Sequence, residues 1–368
     1  MRARDLLLAL FIVLAGSSIT AARQGKFSDL EQEVRSFADL FPRSGFLDIG
    51  DGWYSENGWT RVETLEQTFP AEGISRLVIA NRSGDVRIYG EDTDEIRIEG
   101  ERWGTGDSHE EILKNARAVE LRASREGGRL LISGAGPKNY WKNSCLDLSI
   151  HAPTRLAADI EVQGGVVSVN DLFGGTKVAN THGEITIYGG AFAQASSTSG
   201  NMEIAGIRGP VVARTTSGKL SLYDDFGEIR ASSVSGDVEI GEVGGPFSAL
   251  TVSGRINLQS YAGDRAALKT TSGNITVQMP EPFRGSFVAN SVSGDISVNL
   301  PGNSDCAVSL SSPGGSIRAD LPLRLRDQAS GRLQGKLGAG TGQVSLKSTT
   351  GNLAISSNGE EAEEDDEI

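Results

Sequence analysis

The sequence predicts an all-β chain wound as a parallel β-solenoid with coils of about 18–21 residues. Three observations carry that expectation: a glycine-dense composition, a small residue followed by glycine at near-constant spacing, and an alternating apolar pair behind each such glycine. Of 368 residues, 47 are glycine and 11 proline, and aromatics make up 6%. Glycine at nearly twice its ordinary share of about 7% implies many turns, and the composition excludes a collagen-like or proline-rich chain. With 38% hydrophobic residues, and with Val, Ile and Thr recurring between Ser-Gly pairs, the chain has the content of a folded β protein.

The anchors are Gly165, Gly183, Gly200, Gly218, Gly236, Gly254, Gly273, Gly294 and Gly315, at intervals of 18, 17, 18, 18, 18, 19, 21 and 21. Two residues after them stand Val167, Ile185, Met202, Leu220, Val238, Ile256, Ile275, Ile296 and Ile317. Four residues after them stand Val169, Ile187, Ile204, Leu222, Ile240, Leu258, Val277, Val298 and Ala319. The residues between the two columns are mostly polar, from Ser168 and Thr186 to Glu239 and Arg318, as in a strand with one buried face. In the clearest units a second glycine follows nine residues after the anchor (Gly174, Gly209, Gly227, Gly245, Gly263), and Val178, Ala213, Ala231, Ala249 and Ala267 lie four beyond it. Each coil therefore reads as strand, glycine turn, strand, Ser-Gly turn.

One such coil cannot bury its own apolar pair, but copies stacked at about 4.8 Å pair their backbones and extend the aliphatic columns. A right-handed winding is expected, because parallel crossovers overwhelmingly take that hand. The left-handed hexapeptide helix fits less well, since its apolar residues recur every six, and a stacked antiparallel array is the remaining alternative.

The flanking segments follow in order. Arg2 and Arg4, the apolar run Leu6–Ala15 and the small residues ending at Ala21-Ala22 have the layout of a signal peptide over 1–22, too short in its apolar part for a bilayer span of roughly 20 residues. Residues 23–61 form an N-terminal extension. Phe27, Leu30, Val34, Phe37 and Leu40 there lie at helical spacing, Ser28 and Glu31 make a capping box, and Pro42 stops the run; this short helix is expected to cap the stack. Residues 62–150 read as an irregular β-rich lead-in, in which Ser83-Gly84 with Val86 and Ile88 matches the repeat. A short helix interrupts it, with Asp107 or Ser108 as N-cap, Glu110 and Glu111 in the first turn, and Ile112, Leu113 and Ala116 as its apolar face. Regular coils run over 151–357, returning to pattern at Gly342 and at Gly351 with Leu353 and Ile355, and residues 358–368 form an acidic tail expected to be disordered.

The runs SGDVEIGEVGG, SGNITV, SGDISV and SGKLSL, with LVIANRSGDVRIYG in the lead-in, resemble the bacterial putative adhesin family, domains of unknown function built from β-strand repeats. The similarity covers roughly residues 70 to 355 and rests on the number and register of short motifs. It implies a solenoid-like fold in a bacterial envelope or surface protein, and it supplies no catalytic motif to carry over.

Chemistry is sparse. His109, His151 and His182 are scattered and lack zinc spacing, so no metal site and no cofactor is expected. His182 takes the place of the serine that precedes most anchors, and Ser217, Ser235, Ser253, Ser272 and Ser293 are turn residues. Cys145 and Cys306 are expected to stay unpaired, because linear stacking places them roughly 35 to 40 Å apart. A net charge of −13, much of it in the tail, argues against nucleic acid. The expected role is a non-enzymatic, exported envelope or surface scaffold, periplasmic, surface-bound or secreted, whose flat faces bind a glycan, a protein or a surface. The alternatives are a polysaccharide lyase or hydrolase using Asp237 and Glu239 with Glu203 two coils away, or an envelope-stress sensor or assembly factor.

Overall fold

The computed structural model describes residues 58–225 and 227–357. The signal segment, the Ser28–Glu31 capping box with its helix, and the acidic tail lie outside the described residues.

Two long sheets of 14 and 15 strands enclose one continuous apolar core. Each coil gives one strand to each sheet: the Gly254 coil contributes Phe247–Leu250 to the 15-stranded sheet and, past its anchor, Ile256–Gln259 to the 14-stranded sheet. Coil-to-coil pairing is parallel and in register, Val238 beside Ile256 beside Ile275 and Ile240 beside Leu258 beside Val277. From Val167 to Val298 both columns expected inside are at most 2% exposed. The 15-stranded sheet faces that aliphatic wall with small residues, Ala195, Ala213, Ala231 and Ala249, so large side chains on one side meet small ones on the other. Ala267 is a correction. The 19-residue interval after Gly254 carries one extra residue before the next strand, which pairs Ala249 with Leu268 and leaves Ala267 exposed.

The Ser-Gly corner is closed by the anchors themselves. A Cβ on Gly254 would strike the carbonyl oxygen of Gly236, and the same clash recurs from Gly165 to Gly315, each glycine against the one before it in the stack. At Gly183 the left-handed φ of +116° adds a second reason for glycine. A buried hydroxyl or amide stands three residues before each anchor from Gly183 onward: Asn180, Ser197, Thr215, Ser233, Thr251 and their successors. Gly254 N–H donates to Thr251 Oγ1 at 3.1 Å, and that hydroxyl donates to the Gly236 carbonyl at 3.3 Å. The serines directly before the anchors also bond across coils, as in Ser253 Oγ to Val234 O at 3.4 Å.

Stacking in sequence order fails at both ends. The Gly84 coil, with strands Arg76–Asn81 and Val86–Glu91, lies directly on the Gly165 coil. The residues between those two coils do not separate them. Ser144–Pro153 runs parallel beside Val86–Glu91, and Glu95–Gly104 and Thr60–Pro70 follow it antiparallel. On the other sheet Arg129–Ala135 pairs with Arg76–Asn81 and carries Glu120–Glu126 antiparallel. The helix His109–Ala116 forms as expected, with Ser108 as N-cap accepting from Glu111 N–H and Ala116 buried. At the other end the Gly351 coil is inserted between the Gly294 and Gly315 coils: Leu353–Ser357 lies between Ile296–Leu300 and Ile317–Asp320, and Gly342–Lys347 between Ser286–Asn290 and Cys306–Ser311. The more apolar coil thereby takes the inner place. Val344, Leu346, Leu353 and Ile355 are at most 1% exposed, whereas Ile317 and Ala319 remain half-buried at the end of the stack. Both cysteines are free. Cys145 lies in the 14-stranded sheet and Cys306 in the 15-stranded sheet, and, because the Gly84 and Gly351 coils intervene, their levels in the stack are eleven strand spacings apart, on the order of 50 Å and more than stacking in sequence order implies.

The glycine column predicts a sharp asymmetry between neighbours. Gly254→Ala should lower unfolding free energy by about 3 kcal/mol, through backbone displacement in a packed corner, while Ser253→Ala should cost less than about 1 kcal/mol. Thermal and denaturant unfolding of the two variants measures this.

Candidate binding faces

The outward residues of the coils build two flat faces of different chemistry. On the 14-stranded sheet, the position five after the anchor forms a row in register: Tyr89, Asn170, Tyr188, Ala205, Tyr223, Gly241 and Gln259. Tyr188 is 39% exposed, and the half-buried Tyr223 ring lies over Gly241, whose Cβ would meet it at 3.1 Å. His151 extends the row by stacking on Tyr89 at 5.0 Å between ring centroids, with Nδ1 against Glu91. The opposite face is basic. Ten successive strands of the 15-stranded sheet, from Thr176–His182 to Arg332–Leu337, contain no Asp or Glu but carry Lys177, Arg214, Arg230, Arg265, Lys269 and Lys347 among others.

The candidate acids lie on the first face and are occupied by structural bonds. Asp237 accepts the backbone N–H of Arg255 from the next coil at 2.7 Å, Glu239 pairs with Lys219 at 2.6 Å, and Glu203 accepts the Tyr188 hydroxyl. That bond to Glu203 pushes the Tyr188 hydroxyl up to about 12. Glu203 and Glu239 sit in one row with Ser221 between them, about 10 Å apart by strand spacing. His109 is exposed at the start of its helix, and His182 is half-buried at the end of its strand. The structure therefore brings Asp237, Glu239 and Glu203 to one face, where His151 also lies beside Tyr89, and leaves the three histidines apart from one another. Among the described residues no group of three or more His, Cys, Asp or Glu could hold a metal ion.

Asp237 belongs to a ladder that the sequence reading did not register. The residue after the anchor, when Asp or Asn, receives the backbone N–H of its counterpart in the adjoining coil: Asp85 from Val166, Asn201 from Lys219, Asn274 from Asp295, Asp295 from Asn352 and Asn352 from Ser316, and Asp147, which follows Leu146 rather than a glycine, receives Asp85 N–H in the same way. The visible signal is the recurrence of Asp or Asn directly after glycine. A second unread residue is Asp225, fully buried, whose Oδ1 accepts Ile207 N–H at 2.7 Å while Oδ2 has no partner. Burial pushes its carboxyl up to about 7, against the Ile207 N–H and with the Asp224 charge adding to the rise. Burial likewise raises Asp147 to about 6, opposed by its bond from Asp85.

A family model matches residues 74–356, which is most of the chain. The chain belongs to the Toastrack DUF4097 family. Solved structures similar to this Toastrack chain include a putative adhesin from Parabacteroides distasonis, at 12% identity and TM-score 0.38, covering 80% of this chain and 97% of that one. A putative adhesin from Bacteroides fragilis is similar at 12% identity and TM-score 0.26 over the same shares. A putative cell adhesion protein from Clostridium sporogenes is similar at 12% identity and TM-score 0.18, covering 80% of this chain and 100% of that one. No curated protein matches.

The raised carboxyls set the pH dependence of stability. An acid whose folded value lies above its ordinary range stabilises the protein while protonated, and that contribution is lost as pH rises through about 6 to 7. The melting temperature should therefore fall between pH 5 and pH 8, and Asp225→Asn should flatten that fall and melt above the native protein at pH 8. Differential scanning calorimetry across the range checks both.

Proposed function

We propose that this protein is a non-enzymatic, exported scaffold of the bacterial envelope or surface that binds glycan through the tyrosine and amide face of its 14-stranded sheet. The carrying observation is the in-register row of Tyr89, Asn170, Tyr188 and Tyr223 on an open, flat surface. Tyrosine offers an apolar ring face for a sugar and a hydroxyl for its polar groups, and the Asn170 amide between Tyr89 and Tyr188 can donate and accept hydrogen bonds. Similar solved proteins are described as adhesins, the N-terminal layout of Arg2, Arg4 and Leu6–Ala15 supports export, and no described helix is long and apolar enough to cross a membrane. The carboxylates that a sugar-cleaving mechanism would require are engaged as ladder and ion-pair partners, which favours binding over turnover.

A panel of envelope and extracellular polysaccharides, immobilised and probed with the full chain, tests this. Binding should weaken at least tenfold in the Tyr188→Ala, Tyr223→Ala double variant, and no reducing ends should be released. Unchanged binding in that variant would move the site elsewhere. Sugar release by the native protein that disappears in Asp237→Asn with Glu239→Gln would replace binding by catalysis.

A further inference from the structure

The basic face of the 15-stranded sheet ends in a strongly charged corner. The edge strand Arg324–Ala329 is exposed along its whole length, and its partner Arg332–Leu337 sets Lys336 beside Arg324. Two rows further along the strands, Lys347 and Arg332 flank Ser311 on either side. A shift in register between Leu325 and Asp327 leaves Arg326 outside the pairing. Arg324, Arg326, Arg332 and Lys347 enter no ion pair among the described residues. The nearby acids offset little of this: Asp305 is held by Gly340 N–H, Thr341 N–H and the Thr341 hydroxyl, which keeps it below the usual carboxylate range, and Asp327 stands opposite Gln334. Charge along an edge strand keeps another strand from pairing there, so this edge stays open as a concentrated positive surface.

The chain itself supplies an occupant. Its last described strand, Leu353–Ser357, lies at the level of Gly342–Lys347, and Ser357 reaches the turn at Gly302 that leads into Cys306–Ser311. The tail thus departs from the corner where the basic strands begin. Arg324–Ala329 is three strand positions from Gly342–Lys347, about 14 Å. Residues 358–367 can extend to about 35 Å and carry Glu360, Glu361, Glu363, Glu364, Asp365, Asp366 and Glu367 with no basic residue. We infer that the acidic tail, residues 358–368, lies in cis along Arg324, Arg332, Lys336 and Lys347, covering the edge and competing with any other polyanion for that face. The inference concerns the sheet opposite the tyrosine row and does not depend on what that row binds.

The test keeps the full chain. In one version the seven tail acids are replaced by their amides (Glu→Gln, Asp→Asn), and a fluorescein-labelled peptide with the sequence of residues 358–368 is titrated into both versions by anisotropy. The peptide should bind the neutral-tail protein at least tenfold more tightly than the native protein, whose own tail competes. That difference should vanish in salt on the order of 0.5 M, where charge interactions are screened within a few Å. Adding Arg324→Gln, Lys336→Gln and Lys347→Gln to the neutral-tail protein should abolish peptide binding without lowering its melting temperature. Carbodiimide coupling of the native monomer should join Lys336 or Lys347 to tail carboxylates. Equal peptide binding by both versions, or none by either, would overturn the inference. So would cross-links found only between two copies, which would make the occupant another molecule's tail, or equal binding of heparin by both versions, which would leave the face to free polyanions.

Discussion

The close approach of one backbone to the next at the Ser-Gly corner is the constraint on which the rest depends. Each anchor glycine sits where a side chain would strike the carbonyl of the preceding anchor, so the corner can stack at strand spacing only if it is glycine in every coil. Once that spacing is set, the residues two and four beyond fall into aligned aliphatic columns and those between them point outward. In the later coils the buried hydroxyl three residues earlier accepts the corner N–H, as Ser233, Thr251, Thr270, Ser291 and Ser348 do, and so satisfies a backbone donor at the tightest turn.

The same geometry produces the surface. Because coils repeat in register, any residue type that recurs at one position becomes a row rather than a point, and the two sheets have filled their rows differently. One carries tyrosines and amides, the other lysines and arginines. A row suits an extended ligand better than a small substrate, which needs a concave site. Both ends need separate treatment, since a stack of parallel strands terminates in open edges. The N-terminal end is closed by antiparallel strands and the helix His109–Ala116. The C-terminal end places its most apolar coil inside and leaves Arg324–Ala329 outermost.

Much of this was legible in the sequence, because the anchor and its two apolar columns are local and periodic. The helix at Ser108 was legible for the same reason, as cap, acidic turn and apolar face lie within nine residues. The order of the coils was not. Gly342, Gly351 and their apolar residues announce one more coil, but its place between the Gly294 and Gly315 coils depends on contacts between segments distant in the chain. The extra residue before Leu268 was hidden because Ala267 and Leu268 are both apolar. Of the candidate site, the outward placement of Asp237 and Glu239 was legible from alternation, while their engagement with Arg255 and Lys219 was not, since an Asp after glycine reads as turn chemistry until its neighbour coil is known. Asp225 was not legible because a carboxyl at a fully buried position runs against the apolar pattern of the coils.

Disulfide trapping tests the stacking order, and with it the glycine column, most directly. Ser297 lies beside Ala354, and Ala354 beside Arg318, so Ser297 and Arg318 are two strand spacings apart, about 10 Å. A disulfide tolerates about 7 Å between Cα atoms. With Cys145 and Cys306 replaced by serine, Ser297→Cys with Ala354→Cys should oxidise to an intramolecular disulfide, and Ser297→Cys with Arg318→Cys should not. A disulfide in the second pair and none in the first would mean that the Gly315 coil lies directly on the Gly294 coil, contradicting the stack described above.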